Sequence, residues 1–307
     1  MERAKGILYA ALSSSTFGLA PLFTLLLLGL GYSSFEVLSY RWGVASLFLG
    51  ALALLAGRSF RLSWPELRTV FFLSLFRAAT SLSLVIAYQH IASGVASTIH
   101  FMYPLAVALA MMCFFREKGS VWVFAAIGMS IVGAVLLSLG NVDFTRGNTT
   151  LGMVSAAVSV VSYGGYIVGV RKSRAVGIDS TVLTCYVMGL GALYFIAGGL
   201  VTGGIRIETD GTAWLCILGV ALPATAVSNM TLVQAIKRIG PTLTSVFGAL
   251  EPLTAVVIGV AVFGERFTLR IGTGVLLILV AVTLIIAGKS IRIPTSVTHL
   301  ARWMARP

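Results

Sequence analysis

Apolar residues run through this chain in long blocks that only a few polar residues separate. Each block is long enough to cross a hydrocarbon layer of about 30 Å, which takes about 20 residues of α-helix. The blocks lack the alternation of apolar and polar residues that marks the strands of a membrane barrel. The pattern predicts an all-α polytopic membrane protein with ten transmembrane helices, at 5–29, 34–57, 67–90, 92–115, 119–140, 149–171, 179–203, 211–235, 239–263 and 267–288.

The second half of the chain repeats the first. An offset of 146 positions aligns Gly6 with Gly152 and Gly18 with Gly164. An offset of 148 aligns five further pairs without a gap: Ala87 with Ala235, Ile91 with Ile239, Ser97 with Ser245, Pro104 with Pro252 and Glu117 with Glu265. Copies with an odd number of spans have opposite orientations in the membrane. We therefore expect two inverted five-helix repeats around a central cavity, at 1–145 and 146–288, followed by a basic cytoplasmic tail at 289–307.

Composition and charge place the protein in a bilayer. Of its 307 residues, 58% are hydrophobic and 10% charged, which is too little polar surface for a soluble protein. A net charge of +12 would suggest a nucleic-acid partner only in a soluble chain. With the N-terminus inside, sixteen of the 22 Lys and Arg lie on the inner side, Arg41 and Arg77 lie in the membrane, and the outer side holds Arg146, Arg206, Arg266 and Arg270. This bias predicts cytoplasmic termini and a plasma (bacterial inner) membrane location.

Charged and polar residues near the bilayer midplane mark the candidate site. At a rise of about 1.5 Å per residue, Glu251 lies about 16 Å into span nine and Arg77 about 15 Å into span three. A charge at that depth costs about 3 kcal/mol, so each needs a partner or a watery cavity. His100 and Tyr103 share a face of span four, and Tyr103 is the repeat counterpart of Glu251. Glu251 and His100 are the candidates for proton coupling, whereas a satisfied structural histidine is the alternative for His100.

Helical spacing adds further polar residues to this region. One stripe of span three holds Arg77, Thr80, Ser81, Leu84 and Tyr88; one stripe of span six holds Ser155, Ser159, Ser162 and Tyr166, with Tyr163 beside it; span eight offers Thr225, Ser228 and Asn229. From these we predict that Tyr163 and Asn229 contribute to substrate binding. An alternative for the charges is an Arg77–Glu251 ion pair that only holds helices together. Glu36 and Arg41 suggest an interfacial pair near the outer end of span two, with Trp42 as a belt aromatic.

Two prolines at matched positions are candidate hinges. Pro104 and Pro252 lie near the middle of spans four and nine, where each removes a backbone hydrogen bond and can kink its helix. The alternative is that both are tolerated without a mechanical role. The 33 glycines are typical of helices that approach each other closely in lipid.

Several motifs resemble the EamA-type drug/metabolite transporters. The first copy carries Tyr88, the break at Ile91-Ala92-Ser93-Gly94, Tyr103-Pro104 and Phe115-Arg116-Glu117; the second carries Ala249-Leu250-Glu251-Pro252, Phe263-Gly264-Glu265-Arg266 and Gly272 to Gly274. The resemblance covers about 5–288. It implies ten helices in two inverted halves, a central cavity and transport of a small metabolite by alternating access, often as export. Glu117 and Glu265, at helix ends in such proteins, are interpreted as structural.

The predicted function is secondary active transport of a small metabolite, such as an amino acid, a nucleoside-like or a drug-like solute. The sequence lacks a glycine-rich phosphate loop, so a gradient is the expected energy source. Its three cysteines are isolated, and neither a cofactor nor a metal is expected. The expected partners are a small-molecule substrate and the lipid bilayer, with monomer and homodimer both open. A channel or accessory protein is the alternative; an intramembrane enzyme is less favoured, since His100, Tyr103 and Glu251 form no recognisable catalytic set.

Overall fold

The computed structural model describes residues 2–91, 93–117, 119–138, 147–254, 257 and 268–287. Over this part of the chain the secondary structure is helical. In chain order the helices are α1 (Glu2–Phe17), α2 (Ala20–Gly29), α3 (Ser34–Leu55), α4 (Trp64–His90), α5 (Ser93–His100), α6 (Tyr103–Phe115), α7 (Val121–Ser138), α8 (Thr149–Lys172), α9 (Ser180–Thr202), α10 (Gly211–Ala221), α11 (Ser228–Ile239), α12 (Pro241–Val246) and α13 (Leu269–Ala287). The chain is helical again at 250–254.

Polar caps explain where several long helices begin. Ser33 and Glu36 form a reciprocal capping box before α3, and before α4 Glu66 Oε2 accepts from the backbone N–H and the hydroxyl of Ser63. Each satisfies backbone N–H groups that the first helical turn leaves free. The side-chain oxygens of Asn148, Asp179 and Asp210 accept from the first turns of α8, α9 and α10. These caps occur at the short polar stretches between apolar blocks, so helix limits follow from the sequence pattern.

Four spans are interrupted along their length. Residues 18–19 separate α1 from α2, residues 101–102 separate α5 from α6, a π-helical segment at Leu222–Val227 joins α10 to α11, and a 3-10 turn at Phe247–Ala249 follows α12. Proline accompanies the first three, at Pro21, Pro104 and Pro223. Because irregular backbone at membrane depth requires polar partners inside the protein, these interruptions indicate a region shielded from lipid.

Helix pairing follows the internal repeat. The most extensive contacts join α3 to α9, α4 to α8, α7 to α13 and α1 to α11. The repeat offsets relate α3 to α9, α7 to α13, α1 to α8, and α4 to the unit of α10 and α11. If the two halves of the chain are exchanged, the α3–α9 and α7–α13 pairings therefore stay the same. The α4–α8 and α1–α11 pairings replace each other. The site lies between these pairs.

Within the described residues, seven stretches are long and apolar enough to cross a membrane: Glu2–Gly29, Ser34–Leu55, Trp64–His90, Val95–Phe115, Thr149–Lys172, Ser180–Thr202 and Gly211–Ile239. Two shorter apolar helices, Val121–Leu136 and Leu269–Leu284, occupy predicted spans five and ten. Three predicted features lie outside the described residues: most of span nine beyond residue 254, Glu265, and the tail at 289–307.

Candidate functional site

Arg77 is the centre of the site. Its guanidinium is buried, with 1% of the residue exposed. Nε donates to Asn229 Oδ1 at 2.8 Å, and Nη1 donates to Ser81 Oγ at 3.3 Å. Aromatic rings surround its Cζ, with centroids 5.1 Å away for Tyr163, 5.5 Å for Phe17 and 5.9 Å for both Trp42 and Tyr166. Ring faces attract a cation by about 0.5–2 kcal/mol each, so this shell of neutral groups suits a guanidinium.

The structure does not join Arg77 to Glu251 by an ion pair. The two nitrogens of Arg77 with partners contact the neutral oxygens of Asn229 and Ser81. Asn229 is itself held in place, because its Nδ2 donates to the Thr225 carbonyl oxygen at 2.7 Å. The alternative of a purely structural Arg77–Glu251 pair is therefore wrong for this conformation.

Arg41 lies in the same interior, and the expectation of an interfacial Glu36–Arg41 pair is wrong. Only 4% of Arg41 is exposed; its Nε donates to Thr225 Oγ1 at 2.6 Å, and its Cζ lies 5.7 Å from the Phe17 ring centroid. Glu36 instead pairs with Arg206, with 3.1 Å between Oε1 and Nε. A separation of five residues places Glu36 and Arg41 on different faces of α3, because side chains meet at three or four. Two guanidiniums, not one, therefore occupy the site.

Trp42 is also internal, which corrects its assignment as an interfacial belt residue. Its side chain is fully buried, and it meets the Phe195 ring edge-to-face at 5.1 Å between centroids. Arg77 is a further neighbour, as described above. Trp42 therefore forms part of the aromatic wall of the site.

A small cavity lies between the two arginines. Its volume is about 20 Å³, room for about one water molecule. The predicted stripe of span three lines one side of it, and the broken first span lines the other. The lining residues are Phe17, Ala20, Thr24, Arg41, Arg77, Thr80, Ser81, Leu84, Val85 and Tyr88.

A second group of polar residues lies beyond the Tyr163 ring. Tyr103 meets Tyr163 edge-to-face at 4.6 Å between centroids, and the Tyr103 hydroxyl donates to Glu251 Oε1 at 3.3 Å. A Cβ on Gly248 would overlap that hydroxyl, so only glycine admits Tyr103 here. A Cβ on Gly18 would lie 2.6 Å from the Glu251 carbonyl oxygen. The interruption at residues 18–19 therefore lies beside Glu251. The repeat-related Tyr103 and Glu251 thus meet, as the repeat predicts.

His100 stacks on Tyr163 with 5.3 Å between ring centroids. Its Nδ1 lies 2.8 Å from Ser159 Oγ, which itself donates to the Ala156 carbonyl oxygen at 2.6 Å. With that hydroxyl proton committed, Ser159 accepts from Nδ1–H, and Nε2 keeps a lone pair. Among the described residues nothing partners Nε2. This geometry suits a structural and a proton-binding histidine equally, so the proton role stays a prediction.

Both candidate hinges follow a break in their helices. Pro104 is buried at the start of α6, directly after the turn at Phe101–Met102. Pro252 is in the helical stretch 250–254, directly after the 3-10 turn at Phe247–Ala249. The repeat offset relates the two breaks. Their movement as hinges stays a prediction.

Sequence reasoning missed Arg41, Phe17 and Thr24 as parts of the site. The signal for Arg41 was present, because no acidic residue lies three or four positions from it. Phe17 and Thr24 carried no distinguishing signal among the many apolar and hydroxyl residues of span one.

Long apolar helices with a buried charged interior define an integral membrane protein. The model of the EamA-like transporter family matches residues 4–139 and 150–287. The chain belongs to this family. It is 26% identical over 283 residues to the uncharacterized transporter YojE of Bacillus subtilis, covering 87% of this chain and 88% of that relative. It is 25% identical over 223 residues to an uncharacterized transporter of Archaeoglobus fulgidus, covering 73% and 77% respectively.

The fold also occurs among solved structures. One crystal structure matches with a TM-score of 0.75 over 99% of both chains, at 18% sequence identity. At that identity the likeness shows the fold alone. The family and the two relatives support a membrane transporter.

Proposed function

We propose that this protein is a secondary active transporter that moves a small metabolite across the plasma membrane by alternating access. The observation that carries the proposal is the convergence of four interrupted helices on buried arginines and a carboxylate. In secondary transporters, discontinuous helices form the substrate and coupling-ion sites near the bilayer midplane. The direction we propose is gradient-driven export, with Glu251 and His100 as candidate proton sites.

The proposed architecture is ten crossings in two inverted five-helix repeats with both termini cytoplasmic. Two observations support it. The helix pairings are preserved when the two halves are exchanged, and the family model matches each half separately, at 4–139 and 150–287. The charge bias of the sequence supports the orientation.

Contacts at both ends of the bundle suit alternating access. At the end where α3 begins, Arg206 pairs with Glu36, Tyr32 donates to Glu208, and Tyr40 donates to the Arg206 carbonyl oxygen. At the opposite end, Arg58 pairs with Asp179 at 3.6 Å and Arg238 with Glu2 at 3.2 Å. These exposed or partly exposed pairs contribute little each, so a conformational change can break one set at modest cost.

The topology predicts opposite sides for two reporter fusions. A reporter after Gly140 is expected outside and one after Lys289 in the cytoplasm, both positions being outside the described residues. The measurement is paired activity of a reporter that works only outside and one that works only inside. Agreement between the two fusion sites would overturn the odd-numbered repeat.

Uptake into proteoliposomes tests the function itself. The purified protein is reconstituted, and radiolabelled amino acids, nucleosides and organic acids are followed with and without a pH gradient. A secondary transporter accumulates its substrate above the equilibrium level when the gradient is present. Flux that only equilibrates indicates a channel, and chemical conversion of the solute indicates an enzyme. Protein-free liposomes provide the control for leakage.

A further inference from the structure

Two buried cations share one cavity without a carboxylate in contact with either, and Glu251 is the one acidic group of the described site. Arg41 and Arg77 both line the cavity, and both have hydrogen-bond partners that are neutral. Within the described part of the chain no aspartate or glutamate forms an ion pair with either. Buried charges in proteins are normally paired, because their loss of hydration is otherwise uncompensated. The cavity is therefore electrostatically complementary to an anion.

Two hydrogen-bond donors at this cavity lack a partner among the described residues. They are Arg41 Nη2 and the hydroxyl of Thr24, which is 1% exposed. Both residues line the cavity. Buried donors are usually satisfied, so two unsatisfied ones at one cavity indicate a ligand that accepts from both.

The unpartnered donors and the character of the walls favour one kind of anion. A carboxylate carries one negative charge on two oxygens, which can accept from Arg41 Nη2 and the Thr24 hydroxyl, whereas a phosphate carries up to two negative charges and costs more to dehydrate. Phe17, Ala20, Leu84 and Val85 supply the apolar part of the lining, whereas the hydroxyls of Thr80, Ser81 and Tyr88 have partners within the protein. The cavity now has room for about one water molecule, so the body of a ligand enters only when the helices around it separate.

We propose that the cavity between Arg41 and Arg77 is the binding site for the carboxylate of a small monocarboxylate with an apolar body. Arg41 Nη2 and the Thr24 hydroxyl donate to its two oxygens, and Arg77 supplies the second positive charge. The proposal names the substrate class of the transporter proposed above and rests on it for transport, but binding can be measured without transport.

Thermal stabilisation of the full chain in detergent tests the binding. The probes are benzoate, phenylacetate, lactate and pyruvate, each beside its primary amide, with phenyl phosphate as the phosphate arm. A ligand that binds only the folded protein raises its unfolding midpoint in proportion to occupancy. We expect at least one carboxylate to raise the midpoint while its amide and phenyl phosphate do not.

Thr24→Val separates ligand binding from structure. Because the hydroxyl has no partner, its replacement by a methyl group removes no hydrogen bond, so the midpoint without ligand should stay equal or rise. The dissociation constant of the stabilising carboxylate should nevertheless increase about three- to tenfold. A purely structural threonine would change the midpoint without ligand and leave the dissociation constant unaltered.

We expect the dissociation constant of the carboxylate to rise about tenfold or more in Arg41→Gln and in Arg77→Gln. It should rise less in Arg41→Lys than in Arg41→Gln. Arg68→Gln is the control for loss of one positive charge, because Arg68 is exposed near the start of α4, nine residues before Arg77. It should bind as the unmodified protein does.

Two results would overturn the proposal. One is that none of the carboxylates stabilises the protein more than its amide. The other is that stabilisation persists unchanged in Thr24→Val and in both glutamine variants. If carboxylates bind but are not taken up into proteoliposomes, the binding site is supported and the transport function is refuted. If neutral solutes are taken up independently of both arginines, transport is supported and the carboxylate site is refuted.

Discussion

Replacing Glu251 by Gln is expected to leave a folded, membrane-inserted protein whose transport falls at least about tenfold, the equivalent of about 1.4 kcal/mol, and no longer responds to pH. The carboxylate is the one acidic group of the described site, and it accepts from the Tyr103 hydroxyl at 3.3 Å. Glutamine keeps the shape and an acceptor oxygen but cannot exchange a proton. If protonation of Glu251 couples transport to the gradient, the variant remains in the neutral form.

The measurement is gradient-driven uptake across a pH series, with the amount of folded protein checked by size-exclusion chromatography. Glu117→Gln is the matched control, because Glu117 is exposed and has a weak contact with Thr242, 3.4 Å from the threonine hydroxyl. It should retain the pH profile. Tyr103→Phe should keep pH-dependent transport with a displaced profile, since it removes the donor but not the carboxylate. Normal uptake by Glu251→Gln with an unchanged profile would show that coupling resides elsewhere, with His100 as the next candidate.

Replacing Gly191 by Ala is expected to lower stability by about 1–3 kcal/mol and to impair transport together with it. An added Cβ would overlap ring carbons of Trp42, which is fully buried between α3 and α9. The ring cannot turn away freely, because Phe195 and Arg77 lie on its other sides, at 5.1 Å and 5.9 Å. Either the two helices move apart or the wall beside Arg77 shifts.

The unfolding midpoint in detergent measures the loss of stability. Uptake at a temperature where the variant is folded measures the loss of transport. Gly43→Ala is the control, because Gly43 is next to Trp42 in α3 and an added Cβ there meets nothing within 4 Å. Alanine is the better helix former by about 1 kcal/mol, so this variant should be as stable as the parent or more so. A Gly191→Ala protein with the parent's midpoint and uptake would refute the close packing of Trp42.

The interior of the site was only partly predictable. The depth of Arg77 and the helical stripe that continues to Tyr88 followed from spacing alone, and both residues line the cavity. The contact of Tyr103 with Glu251 followed from the repeat. The partner of Arg41 was predicted wrongly, because Arg41 bonds to Thr225 in the π-helical segment of a distant span.

The sequence by itself determined the class of protein and the places where helices begin. Apolar blocks of span length and polar caps act locally, through backbone hydrogen bonding and transfer from water, so they can be recognised without knowledge of the fold. The tertiary structure decided which charges meet. Side chains from α1, α3 and α4 line one cavity, and Thr225 of the Leu222–Val227 segment accepts from Arg41. Which polar groups satisfy one another there depends on contacts between distant residues that no local pattern records.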